Sequence, residues 1–209
     1  MKTLIDNVDY DNGLIMDDLL AQPAAITDLQ SAPVDPEAPR VLDQGAITPF
    51  AITTITGTPG DDILAGTDND DLMLGFGGND VLLGSAGRDT LNGGDGFDTA
   101  SYSDALSAVA VNLSNPSLGA GDAAGDSFIG IEAFRLSDFD DIFKGSGSAS
   151  ETVFGGSGND VIVGGSGDDQ LDGDDGFDVL DGGFGNDRLV GGFDDDLPVQ
   201  FSEPHMVQS

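Results

Sequence analysis

Twelve acidic residues recur along this chain at a spacing suited to holding cations: Asp62, Asp71, Asp80, Asp89, Asp98, Asp141, Glu151, Asp160, Asp169, Asp178, Asp187 and Asp196. Within each run the interval is nine residues. Ten of the twelve follow a glycine by five positions. Asp141 follows Leu136 instead, and Glu151 lies in a unit one residue longer that opens at Gly145. Two residues beyond the acid comes an apolar side chain: Leu64, Met73, Leu82, Leu91, Ala100, Phe143, Val153, Ile162, Leu171, Leu180 and Leu189, with Pro198 as the exception. Glycine-rich turns expose backbone carbonyls, and carboxylate and carbonyl oxygens are hard ligands. That donor set selects Ca²⁺ over softer metals, and Mg²⁺ is disfavoured because it demands a small octahedron and keeps its water.

The elements that must position these acids follow from the same unit. Five nonapeptides run without insertion from Gly57 to Ser101, and five more from Gly155 to Val199. Leu136–Lys144 and the longer Gly145–Phe154 are degenerate copies. The glycines reach φ > 0 at little cost and suit tight turns. The three residues after each acid alternate in direction, so the eighth position faces one side only. Two units make one coil of 18 residues, and stacked coils give two parallel sheets facing each other across the eighth-position residues. Stacking aligns Asp62, Asp80 and Asp98; Asp71 and Asp89; Asp160, Asp178 and Asp196; and Glu151, Asp169 and Asp187. Strands lie ~4.8 Å apart, which puts like charges at contact distance. The inward side chains bury too little apolar surface to offset the ordering of the chain. Bound metal must therefore supply folding free energy, and the metal-free chain is expected to be largely unfolded.

Composition narrows the functions. The chain has 209 residues, 39 acidic and 6 basic, for a net charge of −33. Asp accounts for 35 of the acids and Glu for 4, a bias that calls for a local cause. Such a charge repels nucleic acid and anionic membranes. No apolar run approaches the ~20 residues of a membrane-spanning helix. Cysteine is absent, which excludes disulfides and thiolate chemistry. The one histidine, His205, reads as an incidental tail residue. HExxH, GxSxG, Walker A and dinucleotide motifs are missing, and the reading is non-enzymatic.

The units fit GGxGxDxUx. The best copies are Gly155–Val163, Gly164–Asp172 and Gly182–Val190. In this the chain resembles the RTX, or hemolysin-type, calcium-binding repeat proteins. The resemblance covers Gly57 to Val199. It implies an all-β fold, a parallel β-roll (right-handed β-solenoid) with several Ca²⁺ ions in the turns, held by sixth-position carboxylates and turn carbonyls. That ligand role passes to the twelve acids named above. The resemblance also implies a secreted, extracellular bacterial protein exported by a type I system. No Sec signal peptide is visible at the N-terminus, and a C-terminal export signal would overlap the last repeats.

Residues 1–49, proline-rich and acidic, read as a disordered leader; 50–199 as the roll; and 200–209 as a flexible tail. Phe50–Thr56 alternates and is expected to start the first strand. Between the arrays 57–101 and 136–199, residues 102–135 are expected to form wider coils of one continuous solenoid. Val109–Leu113 reads as a strand, 115–125 as a loop, and Asp126–Phe134 as another strand. Three functional readings stay open. The first is a calcium-binding protein that is exported and folds on meeting extracellular Ca²⁺. The second is a polysaccharide-binding accessory module, and the third a remnant or fragment of a larger exported toxin or enzyme.

Overall fold

The structure, a computed structural model, describes residues 52–193 except Ser148. The expected leader, the tail with His205, and Asp196 lie outside the described residues. The chain forms an all-β parallel solenoid of about 8 turns. Its strands, in order, are β1 (Thr53–Thr56), β2 (Ile63–Ala65), β3 (Asp71–Gly77), β4 (Val81–Leu83), β5 (Thr90–Asp95), β6 (Thr99–Ser101), β7 (Ala110–Asn112), β8 (Ser127–Ile129), β9 (Ala133–Arg135), β10 (Ile142–Lys144), β11 (Thr152–Phe154), β12 (Val161–Ser166), β13 (Gln170–Asp172), β14 (Val179–Phe184) and β15 (Arg188–Val190). Most are three residues long, because only three residues separate each acid from the next glycine turn.

Successive units alternate between two walls. One wall is a seven-stranded sheet, β2-β4-β6-β9-β11-β13-β15. The other is two four-stranded sheets, β1-β3-β5-β8 and β7-β10-β12-β14. Pairing within the arrays is parallel with an offset of 18 residues, as in Leu64↔Leu82↔Ala100 and Ile162↔Leu180. The eighth-position side chains meet between the walls. Those from Leu64 to Leu180 are buried, and Leu189 is partly so.

The segment between the arrays is built differently. After β6 the chain crosses to β7 on the split wall. It then passes through two 3-10 turns, Pro116–Leu118 and Gly121–Ala123, and returns to the same wall as β8. β8 closes the first half, with Leu91↔Phe128, while β7 opens the second, with Val111↔Phe143. The earlier strand thus joins the later sheet. The expected single strand over Asp126–Phe134 is instead two strands, β8 and β9, on opposite walls. Gly130, at φ 56°, turns the chain between them. β9 pairs with both β6 and β11, so the seven-stranded wall runs through the interruption. Phe134 bridges the walls, its ring centroid 5.3 Å from Phe128 and 5.0 Å from Phe143. A cleft of about 320 Å³, lined by Leu113, Phe128, Ile131 and Phe134, opens where the second wall is cut.

Candidate metal centre

The sixth-position acids use their two oxygens differently. In seven of them one oxygen accepts the backbone N–H of the acid one coil earlier. Asp62 N–H donates to Asp80 Oδ1 at 2.8 Å, Asp80 to Asp98 at 2.8 Å, and Asp71 to Asp89 at 2.9 Å. In the second array Asp141 donates to Asp160 at 2.8 Å, Asp160 to Asp178 at 2.9 Å, Glu151 to Asp169 at 2.8 Å, and Asp169 to Asp187 at 3.0 Å. These ladders knit the coils together along the axis.

The second oxygen has no such use. In Asp80, Asp89, Asp98, Asp160 and Asp169 the Oδ2 atom is buried with no hydrogen-bond partner, as are Asp71 Oδ1 and Glu151 Oε2. A buried acceptor without a donor costs on the order of 1–3 kcal/mol, more when charged. Seven such atoms, recurring at equivalent turns in both arrays, need a common explanation.

The first-position glycines locate what those oxygens face. These glycines are inward-facing and have ordinary φ values, unlike the turn glycines at positions two and four. Their role is the missing β-carbon rather than the turn. A methyl on Gly75 would overlap both Asp80 Oδ2 and the carbonyl oxygen of Gly93. On Gly155 it would overlap Asp160 Oδ2 and lie 2.6 Å from the Gly173 oxygen. On Gly164 it would overlap Asp169 Oδ2 and lie 2.9 Å from the Gly182 oxygen. A carboxylate oxygen and a carbonyl oxygen from the next coil thus converge on one small cradle. Two acceptors with no donor between them repel each other unless the carboxyl is protonated or a cation lies between them, and hard oxygens at a flexible turn suit Ca²⁺. Among the described residues no three acidic side chains gather at one point. The carboxylates form rows instead, and backbone carbonyls must complete any ligand set.

The field in these rows is strongly negative. Burial pushes the carboxyls of Asp89, Asp160 and Asp169 up to about 7, with neighbouring carboxylates adding to the effect. Burial also raises Asp98 and Asp141. A cation would reverse this logic and hold the groups ionised.

Some of these acids also accept a hydrogen bond within their own unit, though Asp71 and Glu151 keep one oxygen open even so. In four units a second-position hydroxyl donates to the acid: Thr58 to Asp62, Thr67 to Asp71, Ser137 to Asp141 and Ser146 to Glu151. Ser85, at the same position ahead of Asp89, leaves Asp89 Oδ2 without a partner. Where φ at position two is positive, as at Phe76, Gly94, Gly156 and Gly165, no such donor is present. Asp62 and Asp187, at the ends of the described rows, are only half-buried.

Sequence reading missed two acids and one outer row. Asp126 Oδ1 accepts Asp89 N–H at 2.7 Å, and Glu132 Oε2 accepts Asp98 N–H at 2.9 Å. Their signal was an acid followed two residues later by Phe128 or Phe134, but the intervals of 37 and 34 residues hid it from a search for period nine. On the outside, fifth-position side chains accept the N–H of the next coil. Asn79 donates to Asp61 at 2.7 Å, Phe97 to Asn79 at 2.9 Å, and Asn159 to Asp140 at 2.7 Å. No helix among the described residues is long and apolar enough to cross a membrane.

A family model described as the RTX calcium-binding nonapeptide repeat matches the chain four times, over residues 53–82, 66–100, 145–180 and 169–198. No curated protein matches the chain.

Proposed function

Because the chain is an RTX calcium-binding nonapeptide-repeat protein, we propose that it is exported unfolded and takes up its roll on meeting extracellular Ca²⁺, with no catalytic step of its own. The observation that carries this is the row of glycine cradles in which a buried, partnerless carboxylate oxygen faces a carbonyl of the next coil. The residues that would hold the ions are Asp71, Asp80, Asp89, Asp98, Glu151, Asp160 and Asp169. Asp62, Asp141, Asp178, Asp187 and Asp196 complete the set read from the repeat. Bound Ca²⁺ supplies positive charge between these oxygens. The chain supplies the rest: ladder hydrogen bonds that space the coils, glycines that leave the cradles open, and a thin core of one side chain per unit.

Removing the ions leaves buried like charges with nothing to offset them, so the metal-free chain is unstable. Calcium sites of extracellular modules bind at ~10⁻⁴ to 10⁻³ M, far above resting cytosolic levels, which separates an unfolded interior state from a folded exterior one. The extracellular location and a type I export route belong to this reading.

The test is a titration of Ca²⁺ into metal-free protein followed by far-ultraviolet circular dichroism, with Mg²⁺ as control. The expected result is a cooperative gain of β signal at sub-millimolar to millimolar Ca²⁺ and none with Mg²⁺. A chain already folded in chelator, or still unfolded at 10 mM Ca²⁺, defeats the coupled-folding mechanism.

A further inference from the structure

One column of first-position residues runs along the roll as Gly66, Gly84, Tyr102, Leu136, Gly155 and Gly173. Each N–H bonds to the next coil: Gly84 to Ser101 O at 3.1 Å, Tyr102 to Arg135 O at 2.8 Å, Leu136 to Phe154 O at 2.9 Å, and Gly155 to Asp172 O at 2.8 Å. Two successive members are large, and both are buried, Tyr102 at 1% and Leu136 at 2% exposure. They stand where the other coils keep a cradle open.

The consequences are visible on both sides. A methyl on Gly84 would overlap the Tyr102 ring, whereas at Gly155 it would overlap a carboxylate oxygen. The Tyr102 hydroxyl donates to Asp126 Oδ2 at 2.6 Å, and the other Asp126 oxygen accepts Asp89 N–H. At the next coil Ser137 donates to Asp141 through its N–H at 2.6 Å and through its hydroxyl at 2.8 Å to either oxygen, while Val109 N–H donates to Oδ1 at 2.7 Å. Both oxygens of Asp126 and of Asp141 therefore have donors. Asp89 and Asp160, the acids flanking them in the same wall, each keep a buried oxygen without one.

We propose that this column is plugged for two coils: the Tyr102 and Leu136 side chains fill the cradle, and the Tyr102 and Ser137 hydroxyls serve Asp126 and Asp141 in place of a cation. The calcium row on that side is interrupted there, and Asp141 is a ladder residue rather than a ligand. This inference rests on calcium filling the open cradles elsewhere.

The test counts Ca²⁺ bound per full-length chain by native mass spectrometry, with circular dichroism to confirm folding in Ca²⁺. Tyr102→Phe and Ser137→Ala, which remove a hydroxyl and keep the bulk, are expected to bind the same number of ions as the parent. Leu136→Gly/Ser137→Gly, which rebuilds the open unit, is expected to bind one more. Loss of an ion in either conservative variant means that the hydroxyls are ligands and overturns the proposal. So does a glycine variant that folds in Ca²⁺ with no added ion. Should the glycine variant not fold, the two conservative variants decide. If the parent binds no Ca²⁺ at all, the calcium reading itself fails, which is a distinct result.

Discussion

The two walls of the roll are assembled from the same nine-residue unit yet meet the interruption differently. On the seven-stranded wall, β6, β9 and β11 keep parallel register, and the inward column passes without a gap from Ala100 through Phe134 to Val153. On the other wall the sheet stops at β8 and restarts at β7, with Leu91 and Phe128 on one side and Val111 and Phe143 on the other. Phe134 reaches across to Phe128 on the edge strand β8 and to Phe143 on β10, one strand in from the edge strand β7. Continuity in this solenoid therefore lives in the inward column. Backbone pairing can be lost on one wall because aromatic rings restore the packing between the walls.

Acidification of the metal-free chain tests the electrostatic side of this comparison, where the largest effect is expected. Asp89 faces Asp71 and Asp126, Asp160 faces Asp140, Asp141 and Asp178, and Asp169 faces Glu151 and Asp187. Their folded values of about 7 lie well above the ordinary carboxylate value near 3.8. The folded metal-free form therefore holds more protons than the unfolded one between those limits, and its stability falls as pH rises through that window. In chelator, β signal should increase from pH 8 to pH 5. With calcium present, the midpoint calcium concentration should rise over the same change, because protons compete for the same oxygens. An unchanged β signal in chelator from pH 8 to pH 5 would show that burial does not govern these rows.

Phe134→Ala removes the ring that spans the cut. Large-to-small changes of buried aromatics cost about 3–5 kcal/mol, and chemical denaturation in saturating Ca²⁺ should show a loss of that size. The same change at Phe143, whose ring meets Phe134 from one side of the cut only, should cost less if the bridging role is specific to Phe134. Tyr102→Phe leaves Asp126 Oδ2 without its donor while keeping the ring, and about 1–3 kcal/mol is expected in the same assay. The smallest effect belongs to Arg135, whose guanidinium lies 5.0 Å from the Phe154 ring centre on the continuous wall. Arg135→Ala should cost about 0.5–1 kcal/mol. A loss there as large as that of Phe134→Ala would mean that the outer face of this wall carries as much of the stability as its column does.

Much of the roll was legible in its sequence because a period of nine leaves two independent marks, the acid and the apolar residue two positions later. Those marks place the walls, the 18-residue register of the arrays and the buried column. The first-position glycines were legible as glycines but not as cradles, since composition does not separate a missing β-carbon from a positive φ. The open oxygens of Asp80 and Asp160 and the satisfied ones of Asp141 look alike in sequence. They differ through the residue four or five positions earlier, and its effect depends on turn geometry. Asp126 and Glu132 were hidden because the inserted loop breaks the period that would have revealed them. The division of Asp126–Phe134 into two strands hangs on Gly130, one of many glycines in the chain.

The out-of-order placement of β7 has a consequence for the fidelity of folding. Each array is nearly self-similar under a shift of 18 residues, so a strand displaced by one coil would still bury its eighth-position side chain and find a carboxylate for its N–H. Repetition alone leaves such slips almost degenerate in energy. β7 and β9 have no copies elsewhere among the described strands. A slip in either array would leave Val111 without Phe143, or Phe134 without its slot between Ala100 and Val153. The irregular segment thus serves as an index mark from which the coils on either side are counted.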